Sequence, residues 1–201
     1  MNGATSPRPE RWRTFIALPL PDDLRSEIAA ELEVVRAAWP RARWARPDGL
    51  HVTLRFLGAT GSHLVPQLGA ALQDAARGQP ALACSLGRVG TFGRGPLRRV
   101  VWVGFDRGAA EVAALAGRVD AALRERGLLP HVPGAGETAR ELRPHVTLAR
   151  EVPAGLVDDV ARALAPAAGR DWAARQLVLM RSHGDVGGSR YEKLLSLPLR
   201  G

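Results

Sequence analysis

Cysteine is almost absent from this sequence, and its scarcity excludes two classes of protein. Cys84 is the only cysteine among the 201 residues, so the chain cannot form an internal disulfide and has no thiolate cluster to bind zinc. Hydrophobic residues make up 46% of the sequence, enough for an ordinary core at this length. We therefore expect a globular domain that folds without disulfides or a structural metal.

Long apolar runs are missing as well. No stretch of 18 or more apolar residues occurs in the sequence, so no segment is predicted to cross a membrane. Met1–Glu10 has no apolar core of the kind that a secretory signal peptide requires. We expect residues 1–11 to be a flexible lead-in, residues 12–201 to form one domain, and the protein to be cytoplasmic without membrane contact.

Lysine is the third scarce residue, although the chain is strongly basic. Lys193 is the only lysine, whereas lysine and arginine together number 28 and the formal net charge is +8. The planar guanidinium fits phosphate oxygens and stacks on bases, so the excess of arginine is compatible with an RNA or nucleotide partner. A GC-rich genome would also replace lysine by arginine, and the charge alone does not decide between these explanations.

The periodicity of the apolar residues predicts a mixed protein of strands and helices without a clear linker. Strands are predicted at 14–18, 51–57 (ended by Gly58), 81–89, 99–105, 145–148, 175–180 and 190–197, and helices at 22–38, 64–76, 111–126 and 155–164. Each half of the chain runs strand, helix, histidine-bearing strand, helix, strand. This internal repeat predicts an α+β fold of two pseudo-symmetric lobes that face each other across a cleft.

The same tetrapeptide occurs twice, at His51–Leu54 and at His145–Leu148. In a strand, side chains two positions apart share a face, so each histidine lies beside a threonine while valine and leucine point into the core. If both strands face one cleft, two imidazoles and two hydroxyls converge there, an arrangement suited to a phosphate.

Breaking a phosphodiester ring requires a base that takes a proton from water and an acid that protonates the leaving oxygen. Histidine supplies either form near neutral pH, so His51 and His145 are the candidate acid–base pair. The hydroxyls of Thr53 and Thr147 are candidates to donate to the non-bridging oxygens, where negative charge grows in the transition state. The pattern predicts a phosphoester-cleaving site that needs no metal or cofactor.

Two other interpretations of the repeated motif stay open. The two histidines are possible metal ligands, but the sequence offers no third ligand at close spacing. The chain is alternatively a non-catalytic RNA- or nucleotide-binding module in which arginines bind and the histidines are relics. Against this, both motifs keep their threonine, and binding alone needs neither imidazole.

At these motifs the sequence resembles the two-histidine phosphoesterases, and among them the LigT-like RNA 2',3'-cyclic phosphodiesterases, also called 2'-5' RNA ligases. The resemblance extends from about Arg13 to Pro198, and its local signatures are Phe15–Leu18, Leu50–Gly58, Val100–Gly104, Arg143–Arg150 and Arg190–Tyr191. It implies a bilobal α+β fold with two antiparallel sheets lining a central cleft. A bilobal repeat completes its own site, so we expect a monomer that needs no protein partner.

The resemblance further implies hydrolysis of a ribose 2',3'-cyclic phosphate, at an RNA end or on a nucleotide, to a 2'-phosphate. His51 would protonate the departing O3' and His145 would activate water, although the sequence itself does not distinguish the two. Running the same site backwards would join RNA ends through a 2'-5' bond. Hydrolysis is the primary expectation because water is present at bulk concentration.

The resemblance also points to two residues that would contact the substrate, Phe15 as a surface for the base and Arg150 as a cation for the phosphate. Phe15 lies in an apolar strand, where a core position is the default. Arg150 follows His145 by five positions, so strict alternation turns it away from the histidine face. It reaches the cleft only if the strand ends or bulges near Ala149.

Two more candidates for substrate binding come from their positions near the motifs. Arg55, four positions after His51, has the parity to share its face and lies about 13 Å further along the strand. Tyr191, together with Arg190, follows the glycine-rich run 184–189. We expect these two residues either to close over the ligand or to belong to a plain hairpin.

Overall fold

The computed structural model describes residues 10–93, 99–129, 142–184 and 189–200. Within this part of the chain nine strands and five α-helices are present: β1 Arg11–Pro19, α1 Asp22–Glu31, α2 Glu33–Ala38, β2 Arg43–Trp44, β3 His51–Gly61, α3 Val65–Ala76, β4 Leu82–Phe92, β5 Arg99–Arg107, α4 Ala109–Glu125, β6 Val146–Val152, α5 Ala154–Ala163, β7 Asp171–Ala174, β8 Gln176–His183 and β9 Arg190–Pro198. None of the helices in these ranges is long and apolar enough to span a membrane.

All strand pairs are antiparallel and follow the order β7-β4-β5-β6-β3-β1-β8-β9, with the short β2 paired to β6. The path consists of two four-stranded halves, each with a histidine-motif strand at its inner edge. The halves meet at a single residue pair, Val52 with Val146. The expected α+β fold with two pseudo-symmetric lobes is confirmed, and the two predicted sheets prove to be joined where the two motifs lie.

The lobes do not correspond to the two halves of the sequence. Strand β4, from the first half, pairs with β5 and β7 in the C-terminal lobe. Strands β8 and β9, at the end of the described chain, extend the N-terminal lobe by pairing along β1. Periodicity within each half cannot reveal this exchange, because strand pairing depends on residues far apart in sequence.

The helices cover the side of the sheet that lies opposite the motif histidines. Helix α4 packs against α3 and against the back of β3, and it buries a face that repeats at helical spacing, formed by Val112, Leu115, Val119 and Leu123. Val52 and Val146, the residues at the junction of the half-sheets, are fully buried on this side. Burial of the alternate residues holds each histidine strand with its polar face outward.

Several element boundaries differ from the sequence-based predictions. The helix predicted over 22–38 is interrupted at Leu32, whose ψ of −1° opens a turn between α1 and α2. Strand β3 does not end at Gly58 but continues to Gly61. Gly58 has a positive φ of 71° and follows a residue that has no partner in β1, so the strand bulges at this point and then continues. Strand β1 begins at Arg11, the last residue of the expected lead-in, of which residues 1–9 lie outside the described chain.

Candidate active site

Both motif strands contain a β-bulge at the leucine of the repeated tetrapeptide. In β3, Thr53 and Arg55 lie opposite consecutive residues of β1, so Leu54 between them has no partner. Strand β6 repeats this irregularity against β5 at Leu148. One unpaired residue inverts the alternation of faces beyond it. The residues that follow each motif therefore point to the side opposite to the one that simple alternation predicts.

The bulge at Leu148 brings Arg150 to the histidine face. Its guanidinium acts electrostatically on both His51 and His145, and it lowers the pKa of each. From the sequence, Arg150 was expected to reach the cleft only if the strand ended or bulged near Ala149, and the strand does bulge there. No hydrogen bond or ion pair within the described residues ties the Arg150 side chain to another group.

The equivalent bulge at Leu54 removes Arg55 from that face. Arg55 lies opposite Ile16, a fully buried core residue, and its Nη1 lies 3.3 Å from a carboxylate oxygen of Asp120 on α4. The expectation that Arg55 shares the face of His51 is wrong, because the parity count did not include the bulge. Arg55 is part of the interface between β3 and α4.

The pair Val52–Val146 sets the relative position of the two motifs. The antiparallel register on either side of this pair places His51 opposite Thr147, and Thr53 opposite His145. The two imidazoles and two hydroxyls therefore alternate around one approximate twofold axis. The rings are near enough that charge on His145 lowers the pKa of His51.

Each histidine is oriented by the same hydrogen bond. The Nδ1 of His51 lies 2.6 Å from the carbonyl oxygen of Gly49, and the Nδ1 of His145 lies 2.7 Å from that of Arg143. A carbonyl only accepts, so Nδ1 carries the proton in both neutral rings, and Nε2 is the nitrogen that can exchange a proton. The Nε2 of His51 is 3.1 Å from the hydroxyl oxygen of Thr53.

Burial lowers the pKa of both histidines, but not equally. The pKa of His51 falls from 6.5 to about 4, mainly through desolvation and further through repulsion by Arg150 and His145. The pKa of His145 is also lowered, by desolvation and by Arg150, and in both rings the bond from Nδ1 to a backbone carbonyl opposes the decrease. Without a ligand, burial therefore favours the neutral form of both rings.

Aromatic rings flank each histidine. In the N-terminal lobe the ring centroids of Phe15 and Tyr191 lie 4.8 and 5.0 Å from that of His51. Phe15 is only 3% exposed and packs under its neighbours, as its apolar strand predicts, and its role as a surface for the base stays a prediction. Tyr191 belongs to the β8–β9 hairpin and meets His51 edge-on, and its closure over a ligand stays a prediction.

In the C-terminal lobe Phe92 and Trp102 take the corresponding places, with centroids 4.9 and 5.9 Å from that of His145. Neither residue was predicted to contact a histidine. A Cβ on Gly90 would collide with the Trp102 ring, and one on Gly104 would lie 3.1 Å from it. These glycines on the paired strands make the room in which the indole lies against the sheet.

The described residues contain no group of three or more His, Cys, Asp or Glu side chains able to hold a metal ion. The groups available at the junction of the lobes are two imidazole Nε2 atoms, the hydroxyls of Thr53 and Thr147, and the Arg150 guanidinium. Together they can supply an acid, a base, donors for phosphate oxygens and a positive charge.

Comparison with known proteins is consistent with this arrangement. The family model of the 2'-5' RNA ligase superfamily matches residues 21–186. Among curated proteins, the RNA 2',3'-cyclic phosphodiesterase of Methanothermobacter thermautotrophicus is 25% identical over 69% of this chain and 70% of its own length. The enzyme of the same name from Geobacillus stearothermophilus is 26% identical over 96% of this chain, but the match spans only 59% of that relative.

Solved structures give the same result over nearly the whole chain. E. coli LigT complexed with 3'-AMP superposes with a TM-score of 0.69 at 26% identity, covering 96% of this chain and 99% of LigT. A Thermus thermophilus protein gives 0.72 at 27% identity, covering 94% and 98%. On the family match, the paired motifs and the shared fold, this chain belongs to the 2'-5' RNA ligase superfamily.

Proposed function

We propose that the chain hydrolyses ribose 2',3'-cyclic phosphates, at RNA ends or on nucleotides, to 2'-phosphates. The observation that carries this proposal is the twofold arrangement of His51 and His145, each with Nδ1 held by a backbone carbonyl and Nε2 left for chemistry. The names of the curated relatives, RNA 2',3'-cyclic phosphodiesterase, support the same reaction.

In the proposed reaction a water oxygen attacks phosphorus while the Nε2 of His145 takes the water proton. The bond from phosphorus to O3' breaks, and the Nε2 of His51 gives its proton to O3'. The products are a 2'-phosphate monoester and a free 3'-hydroxyl, and the proton has moved from one histidine to the other. Thr53 and Thr147 donate to the non-bridging oxygens, and Arg150 offsets their charge.

The donor role of His51 follows the family resemblance, and it requires substrate to change the proton distribution. The pKa of about 4 leaves His51 neutral in the free protein. An anionic phosphate beside both rings favours their charged forms and opposes the repulsion from Arg150, so binding raises both pKa values. Substrate binding thereby allows His51 to carry the proton that it donates to O3', while His145 stays free to accept one from water.

Ligation is the second candidate, and the description of the matching family favours it. A 5'-hydroxyl in place of water would attack the same phosphorus, with O3' again leaving, and would form a 2'-5' linkage. Incubating RNA halves, one with a cyclic phosphate and one with a 5'-hydroxyl, tests this activity. A joined product that resists a 3'-5'-specific nuclease at the junction supports it, and hydrolysed ends alone contradict it.

One chain supplies both histidines, both threonines and Arg150, so we propose that the monomer is the active unit. Specific activity should then stay constant as the protein is diluted, with one chain per particle in size-exclusion chromatography. Activity that falls on dilution as an oligomer dissociates would contradict this.

The direct test is turnover of a nucleoside 2',3'-cyclic monophosphate, with separation of the 2'- and 3'-phosphate products. We expect 2'-phosphate, unchanged turnover in EDTA, and a loss of about a thousandfold or more in kcat for His51→Ala and for His145→Ala. His63→Ala is the matched control, since His63 is exposed and lies in the turn before α3. Full activity of the His145→Ala protein would end the proposal.

A further inference from the structure

Phe56 is exposed on the same sheet face as His51, and no role has been given to it above. It is 66% exposed, and the only other large hydrophobic side chain exposed within the described residues is Val34 on α2. Single exposed hydrophobic residues are common on protein surfaces, so it is the position of this ring, and not its exposure, that points to a ligand. Phe56 takes the place in its motif that Arg150 takes in the other, five positions after the histidine and beyond the bulge.

The position of Phe56 continues a row of rings away from the reacting centre. The centroid of Phe15 lies 4.8 Å from that of His51, and the centroid of Phe56 lies 6.0 Å further on from Phe15. Phe15 is buried, so only the last ring of the row offers a free surface. The base of a nucleotide on the 5' side of the reacting one can stack there.

Two cations share this face with Phe56. Arg13 precedes Phe15 by two positions on β1, and Lys193 lies opposite Met180, which itself lies opposite Phe15. Both side chains are exposed, and no ion pair or hydrogen bond within the described residues involves either of them. Several other exposed arginines in the described chain are paired with carboxylates, as Arg77 is with Asp74.

Acidic side chains are absent from this face in the described strands of the N-terminal lobe. Glu192, the one acidic residue of β8 and β9 in these ranges, lies on the opposite face, where it contacts Arg181 and His183. The face therefore presents an exposed ring and unpaired positive charge next to a phosphate-processing site. This combination is complementary to a single-stranded polyanion with bases.

We infer that the strand 5' to the reacting nucleotide runs over this face of the N-terminal lobe, with a base stacked on Phe56 and backbone phosphates near Arg13 and Lys193. The inference rests on the proposed function and narrows its substrate class to RNA oligonucleotides rather than free cyclic mononucleotides.

The experiment compares kcat/KM on cytidine 2',3'-cyclic phosphate with kcat/KM on a five-nucleotide RNA ending in the same group. We expect the wild-type protein to prefer the pentamer by about tenfold or more, since stacking of one base contributes about 1–3 kcal/mol. Phe56→Ala should reduce this preference at least fivefold. Val34→Ala, which removes the other exposed hydrophobic side chain, should leave both values unchanged.

The cations are tested by the salt dependence of binding, with a labelled pentamer that ends in a 2'-phosphate as the probe. Replacing Arg13 and Lys193 together by Gln should weaken binding and flatten the slope of log K against log salt by about 1.4, roughly 0.7 for each phosphate contact. Replacing Arg77 and Arg162 together by Gln is the matched control, because both are exposed and lie on α3 and α5 surfaces away from this face.

The proposed strand path would be overturned if Phe56→Ala lowered kcat/KM equally on the mononucleotide and on the pentamer. It would also be overturned if the salt slope fell equally in the control. A different outcome would contradict the proposed function, namely that the wild-type protein turns over neither substrate. The binding measurement does not depend on turnover, so it still decides whether RNA follows this face.

Discussion

The carbonyl groups of Gly49 and Arg143 determine the chemistry available to each candidate histidine. Each accepts a hydrogen bond from Nδ1, two residues further along the chain, so a flip of either ring would lose that bond. The nitrogen that remains is Nε2, and in His51 it lies next to the Thr53 hydroxyl. The acid–base behaviour of the pair is consequently governed by burial, by Arg150 and by whatever anion enters the site.

These influences predict the pH dependence of catalysis. The free protein is competent with one proton on the pair, and that state lies at acidic pH because both pKa values are lowered from 6.5, that of His51 to about 4. We expect kcat/KM on a cyclic mononucleotide to be highest in this acidic range and to fall toward neutral pH, while the kcat profile is displaced upward because bound phosphate raises both pKa values. A kcat/KM optimum at or above neutral pH would contradict this prediction.

The sequence supports prediction unevenly at the residue scale. His51, Thr53, His145 and Thr147 could be singled out because a repeated motif in two strands has few structural explanations. Trp102 could not, since its contact with His145 depends on space left by Gly90 on a strand paired from elsewhere in the chain. Contacts of that kind are set by strand register, which a single sequence does not specify.

At the scale of the element, the decisive feature is the bulge inside each histidine motif. It places two arginines with similar motif positions on opposite faces: Arg150 toward the histidines and Arg55 toward Asp120. Strict alternation predicts the reverse, and it failed here because bulges arise from the partner strand's register. Most of the elements were predictable from apolar periodicity, although β2 and β7 were not predicted, and neither were the faces beyond the bulges.

The same substitution should lower activity at one of these arginines and stability at the other. Arg150→Met removes a charge beside the reacting phosphate, and we expect kcat/KM to fall about a hundredfold with little change in Tm. Arg55→Met leaves the half-buried Asp120 carboxylate without its nearest partner. We expect a cost of about 1–2 kcal/mol, a decrease in Tm of several degrees, and near-normal activity.

Thermal melts and steady-state kinetics on the two purified variants measure this contrast. Loss of activity in Arg55→Met without loss of stability would place that guanidinium in the cleft and contradict the bulged register.

For the whole molecule, the buried histidines make stability depend on pH. His51 has a pKa of about 4 in the folded protein and 6.5 as its ordinary value. Above about pH 6.5 it is neutral in both states and its full contribution is present; as the pH falls toward 4, the unfolded chain takes up a proton that the folded chain does not. The free energy of unfolding should therefore decrease by up to roughly 3 kcal/mol over this interval from His51 alone.

Urea unfolding near pH 7 and near pH 5 measures this loss. A His51→Gln protein should lose less stability between these two conditions than the wild type, whereas His63→Gln, at an exposed position, should match the wild type. Equal losses in all three proteins would show that His51 is not buried in its neutral form.

The bilobal plan as a whole could be predicted, because each motif is expected to lie in a strand and a two-histidine site needs both motifs side by side. The exchange of strands between the lobes was not, since β4, β8 and β9 carry no mark of the lobe they join. Long-range pairing of this type is decided by how complete hydrophobic faces fit together in three dimensions.

That exchange has a consequence for the nascent protein. The half-sheet beneath His51 gains its outer strands, β8 and β9, only when residues 176–198 have been synthesised. Until then β1 has an unpaired edge, and Phe15 lacks the cover of Met180 and Tyr191. Residues 176–198 must therefore be synthesised before the first histidine motif, at His51–Leu54, acquires its native surroundings.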